Sequence, residues 1–134
     1  EANFSDVDHL LEDFKHGADR LWLRRMGRDE SSLWYDEVDM TDVCVLFLEW
    51  THGNSDNLHN VDIPILLGST PEETLEYRRF RNRDGKTDSP FTMLVLSLEQ
   101  EKLITQAEKS AIIIDKSGKI IEFEEYRKSM IQAI

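Results

Sequence analysis

The apolar positions of this chain fall into two rhythms. Val7, Leu10, Leu11 and Phe14 recur at i, i+3, i+4 and i+7, the single stripe of an amphipathic helix. Ser5 stands where a cap is wanted, Asp6 and Asp8 suit the positive end of the helix dipole, and Gly17 supplies a stop. The rhythm then shortens. Residues 19–26 (DRLWLRRM) and 32–38 (SLWYDEV) read as strands joined by a turn at 27–31. Residues 43–50 (VCVLFLEW) are continuous and apolar, which predicts a central strand covered on both faces. Residues 61–67 (VDIPILL) predict another strand. Pro64 cannot donate a ladder bond, so this one belongs at an edge or beside a bulge.

The second half alternates between helix and strand signals. In STPEE, Thr70 is the expected N-cap, Pro71 the first helical residue and Glu73 the closing member of a capping box, with the helix running to about Arg81. Residues 82–90 (NRDGKTDSP) read as a flexible loop. Residues 91–96 (FTMLVL) read as a strand, and Ser97 with Gln100 as a second capping box opening a helix to about Lys109. Residues 111–115 and 119–123 flank KSG, a hairpin signal, and a last helix spans 124–133. The expected class is therefore α+β: one domain over residues 1–134, with a largely antiparallel sheet of about five to six strands covered by about four helices.

Composition narrows the class further. A chain of 134 residues suffices for one ordinary domain, and a mean hydropathy of −0.50 is polar without being that of a disordered chain. The single cysteine, Cys44, excludes an intramolecular disulfide and favours a reducing, cytoplasmic setting. Its place inside VCVLFL predicts a buried, inert thiol. The apolar runs are far shorter than the roughly 20 residues of a membrane span, so no membrane association is expected.

Charge changes the picture more. The net charge is −11. From Asp29 to Tyr77 there are twelve acids and no Lys or Arg, after which YRRFRNRDGK (77–86) holds five bases. The stretch DESSLWYDEVDMTD (29–42) has six acids in fourteen positions around Trp34 and Tyr35. Strand alternation sets Leu33 and Tyr35 on one face and Trp34 and Asp36 on the other, so the rings either pack under the first helix or leave one aromatic beside carboxylates. Tyr and Trp are frequent interface anchors, and a field of one sign speeds docking of an oppositely charged partner. The leading expectation is thus a non-enzymatic protein that binds a basic partner, in the manner of an inhibitor or immunity protein neutralising a cationic toxin nuclease. Its contact residues are expected to be Asp29, Glu30, Trp34, Tyr35, Asp36, Glu37, Asp39, Asp42 and Asp56. An accessory or adaptor subunit with no toxin involved is a further reading.

Other chemistry is weaker on the sequence. The loop 49–60 (EWTHGNSDNLHN) brings Glu49, His52, Asp56 and His59 close together, and His52, Asp56 and His59 are conceivable metal ligands for a small hydrolase. The spacing lacks the helical context of H-E-x-x-H, and the composition is that of any turn. DEVDMTD lacks the spacing of a calcium loop. GSTPEE sets Glu72 and Glu73 where a phosphate would sit, and no G-x-x-x-x-G-K-[ST] or G-x-G-x-x-G occurs. No cofactor is expected. The basic 77–86 segment suits polyanions, but the overall charge repels nucleic acid, which is not expected as a partner.

Overall fold

The computed structural model describes residues 3–27, 29, 31–81 and 89–132. The class is α+β, with four helices and two small sheets among the described residues. The sheets have two and three strands, in place of one sheet of five to six. The chain gathers into two compact units, Glu1–Asp62 and Ile63–Ile134.

In the first unit, helix α1 (Phe4–Lys15) begins two residues earlier than the Ser5 cap implies. Asn3 is the cap, its side chain accepting the Asp6 N–H at 3.2 Å. Gly17 follows the helix with φ +77°, a conformation that a Cβ would strain. Strands β1 (Arg20–Met26) and β2 (Leu33–Asp39) then form an antiparallel hairpin with Arg20 opposite Asp39 and Met26 opposite Leu33.

Residues 43–50 depart from expectation. They form no strand, and Val45 and Phe47 are exposed, Phe47 at 82%. Cys44 is exposed as well, so the buried thiol is also corrected. The cause is the absence of company. An apolar run acquires ladder hydrogen bonds and cover only from neighbouring strands, and none of the described strands lies against this one.

The second unit holds the better core. Strand β3 (Ile65–Leu67) pairs in parallel with β4 (Ile112–Ile114), which pairs antiparallel with β5 (Ile120–Ile121). Two helices make the crossover from β3 to β4. Helix α2 (Pro71–Arg81) opens with the reciprocal box that the sequence implies: the Thr70 N–H donates to Glu73 Oε2 at 3.1 Å and the Glu73 N–H to Thr70 Oγ1 at 3.3 Å. Helix α3 (Pro90–Lys109) absorbs the supposed strand 91–96 whole. Ser89 caps it by accepting the Thr92 N–H at 3.2 Å, and Pro90 takes the first position. Ser97 is therefore no cap: its hydroxyl donates to the Met93 carbonyl inside the helix. Leu96, Gln100, Leu103 and Ala107 lie on one buried or half-buried stripe that starts within FTMLVL. The polar Gln100 conceals that stripe in the sequence.

Helix α4 (Phe123–Gln132) closes the unit, its Tyr126 and Met130 packing with Leu66, Ala107 and Ile113. Tyr126 is 1% exposed, and burial pushes its phenol up to about 12 despite a hydrogen bond from Gln100. Gly68 follows β3 where a Cβ would stand 3.0 Å from the Tyr126 ring, so the tyrosine occupies the space that a side chain would need. The β4–β5 turn is fixed by Asp115, whose Oδ1 accepts N–H groups from Ser117 and Lys119, with Gly118 at φ +82°. No described helix is long and apolar enough to cross a membrane.

Candidate functional site

The hairpin answers the question posed by the acidic run. Strand β1 carries Arg20, Arg24 and Arg25, and β2 carries Asp36, Glu37 and Asp39. The antiparallel register brings two of these arginines to carboxylates of the neighbouring strand. Arg20 Nη1 donates to Glu37 Oε2 at 3.0 Å, and Arg25 Nε to Asp36 Oδ2 at 3.0 Å. Two carboxylates that look uncompensated along the chain, Asp36 and Glu37, are compensated across the ladder. Asp39 is engaged differently. Its carboxylate accepts the Thr41 hydroxyl and N–H, and these bonds hold its pKa below the usual value.

Neither aromatic ring is covered. Trp34 is 47% and Tyr35 56% exposed, so both rings, not one, stand in solvent. The register places Tyr35 on the same face as Trp22, Met26 and Leu33, all exposed, while Trp34 shares the other face with Leu23 and Arg25. Asp29 and Asp42 are exposed beyond the two ends of β2, and Asp56 lies exposed in the 49–60 loop. Glu30 lies outside the described residues. The expected contact residues thus form no single acidic face. Some sit on opposite sides of the hairpin and others off it.

The 49–60 loop is tied down by a residue that sequence reading passed over. Asp8 of α1 accepts the His59 N–H at 2.8 Å, the Asn60 N–H at 3.0 Å and the Asn60 side-chain amide at 3.1 Å. His59 Nδ1 stands 3.4 Å from the same carboxylate. Desolvation raises the Asp8 pKa, but these bonds outweigh it and leave the pKa lowered. The partners are about fifty residues apart in sequence, so no local pattern announces them. His52 has different company, packing edge-on to Trp50 at 5.2 Å and to Phe4 at 5.8 Å between ring centroids. Phe4, Asp8, Glu12, Asn57 and His59 help line a shallow cavity of about 400 Å³. Among the described residues no three His, Cys, Asp or Glu side chains are grouped to hold a metal ion, so His52, Asp56 and His59 are not assembled as ligands.

At the end of α2, Arg78 reaches Glu99 of α3 at 3.6 Å, a loose and partly exposed pair. Arg79 and Arg81 follow on the same helix, whose C-terminal end favours cations. The rest of the basic segment, 82–86, lies outside the described residues.

No known family model matches the chain, and no solved structure is similar to it. Among characterised proteins it is similar to the bifunctional alpha-galactosidase/sucrose kinase AgaSK of Mediterraneibacter gnavus. The two are 44% identical over 122 residues, 91% of this chain. The chain spans only about 13% of the length of that protein.

Proposed function

We propose that this chain is part of a sugar-phosphorylating enzyme, the sucrose kinase named in its relative, and that it works with further sequence of the same polypeptide. The observation that carries this is the 44% identity over nearly the whole chain. Of the two activities in that name, three features favour the kinase. The second unit is built on a parallel strand pair with a helical crossover, the unit of open α/β sheets, which bind ligands at the carboxyl ends of their strands. A cationic segment, 77–86, begins within the C-terminal turns of the first crossover helix, and Arg is the side chain best shaped to grip phosphate oxygens. Glycoside hydrolysis, by contrast, asks for two opposed carboxylates around a sugar, while the carboxylates of the hairpin are engaged by arginines and Thr41.

Phosphoryl transfer is mostly positioning and charge stabilisation. In this reading the arginines after Tyr77 contact the transferred phosphate. The chain has no phosphate-cradling glycine loop, so that element comes from elsewhere in the polypeptide. The charge balance of the hairpin leaves an immunity-type partner with less field to exploit, and nothing else favours that reading.

The test is ATP-dependent phosphorylation of sucrose by the complete polypeptide from the native gene, followed by mass of the sugar product. Arg79→Gln with Arg81→Gln is expected to lower kcat/KM for ATP at least about tenfold with the fold intact. A complete polypeptide that transfers no phosphate to sucrose, or a double variant as active as wild type, overturns the reading.

A further inference from the structure

The polar side of α1 keeps the same rhythm as its apolar stripe. Ser5, Asp8, His9 and Glu12 recur at i, i+3, i+4 and i+7, so they share one face of the helix. With Phe4, Asn57 and His59 they line the cavity of about 400 Å³. That volume falls within the roughly 300–1,000 Å³ of small-molecule sites.

The walls are held in place before any ligand arrives. Asp8 accepts the His59 and Asn60 N–H groups and the Asn60 side-chain amide, which fixes the 57–60 segment against α1. Phe4 is half-buried in a cluster of three rings. Its centroid lies 5.1 Å from that of Trp50 and 5.8 Å from that of His52, and those two are 5.2 Å apart. A ring and a loop fixed in this way cost a ligand little ordering entropy.

The lining selects the ligand. Six of its seven residues are polar, and Phe4 is the apolar one. An apolar ligand would strip water from those polar groups without pairing them. An anion would meet Glu12 and Asp8, whose hydrogen bonds hold its carboxyl below the usual pKa and so keep it ionised. A metal ion would need three grouped ligands, and the described residues offer no such group. A neutral molecule with many hydroxyls and one apolar face satisfies the set. The Glu12 carboxylate accepts hydroxyl protons, and the Asn57 amide both donates and accepts. His9 Nδ1 donates to the Ser5 carbonyl at 2.9 Å, so Nε2 of the neutral ring is an acceptor. The C–H face of a pyranose is weakly positive and suits the negative face of an aromatic ring. We propose that this cavity binds one ring of the acceptor sugar, with its hydroxyls on Glu12, Asn57 and His9 and its C–H face on Phe4. This rests on the proposed function, which supplies sucrose as the sugar.

Amide hydrogen exchange on the complete polypeptide, read by mass spectrometry across a sucrose titration, tests the site. Trimethylamine N-oxide, an osmolyte with no hydroxyl, is the solute control. Sucrose is expected to slow exchange in peptides covering 4–12 and 57–60 by at least about threefold, and the osmolyte to leave the two rates alike. No slowing there, or equal slowing by the osmolyte, overturns the inference. Glu12 and Asn57 are exposed, so the double variant Glu12→Gln with Asn57→Ala keeps the fold, and unchanged exchange at 20–39 without sugar reports it. The variant is expected to lose the sucrose-dependent slowing and to raise KM for sucrose at least about tenfold, with KM for ATP unchanged. Retained slowing, or a wild-type KM for sucrose, overturns the inference. Slowing in the wild type without phosphate transfer removes the kinase and keeps the sugar site. Phosphate transfer without slowing keeps the kinase and removes the site from this cavity.

Discussion

Residues 43–48 (VCVLFL) and residues 111–114 (AIII) are nearly the same kind of sequence, and they meet opposite fates. The second run becomes strand β4, hydrogen-bonded to β3 on one side and β5 on the other, with Ile113 4% exposed. The first is longer and as apolar, yet it forms no strand and leaves Phe47 82% exposed. The difference is company rather than propensity. Helix α4 lays Tyr126 and Met130 over Ile113, and two crossover helices return the chain to pair it. Nothing comparable is supplied to 43–48 by the described residues. β-Propensity measures fit to a pleated, half-buried surface, so it expresses itself only where that surface exists.

The comparison can be broken most forcefully at Tyr126. Tyr126→Ala removes the largest side chain of the β4 core, and a loss of roughly 3–5 kcal/mol is expected in denaturant unfolding of the second unit. Amide protection at 112–114 should fall with it. If β4 stays protected, the strand does not depend on its cover and the contrast fails.

A matched pair of substitutions sharpens the point. Ile113→Ala should cost about 2–5 kcal/mol, because a buried branched side chain leaves a cavity. Phe47→Ala in the same chain should stay within about 0.5 kcal/mol, since the ring is already in solvent. Comparable losses at the two sites would mean that 43–48 is covered after all.

The helix that feeds the crossover offers a smaller effect. Thr70→Ala removes the cap of α2, and a loss of about 1 kcal/mol is expected by the same unfolding measurement. Its reciprocal partner makes this pH-dependent. Desolvation raises the Glu73 pKa, but the Lys116 ammonium and the Thr70 N–H outweigh it and leave the pKa below 4.5. A lowered folded-state pKa gives stability that is present above the unfolded value and lost as pH falls through the folded one. The second unit should therefore weaken on acidification below about pH 4.5, and Glu73→Gln should flatten that part of the profile. An unchanged profile would remove Glu73 from the account.

The smallest effect belongs to the hairpin. Arg25→Ala breaks an ion pair whose side chains are both about half exposed, and less than about 1 kcal/mol should be lost. A larger loss in unfolding of the first unit would show that cross-strand charge balance holds the hairpin together.

Local chemistry was legible wherever a few neighbouring residues decide the outcome. The α1 stripe, the hairpin of β1 and β2, the box of Thr70 and Glu73 and the KSG turn all depend on contacts within about twenty residues, and the structure has each of them. FTMLVL misled because a strong cap at Ser89 and Pro90 lies just upstream and because Gln100 interrupts the apolar stripe of α3. The described carboxylates among the candidate contact residues were legible as exposed charge. Their ion pairing was not, because it depends on register, and a shift of one residue would have separated Arg25 from Asp36. Asp8, meeting residues about fifty positions away, left no pattern to read.

The sequence by itself determined where the chain could turn, where helices could start and which runs would prefer a sheet, because those preferences reside in caps, glycines and periodicity. Tertiary structure alone decided which apolar runs became strands and which carboxylates lay beside arginines. Both outcomes need a partner brought from elsewhere in the fold, and a run of residues cannot specify the surface that will cover it.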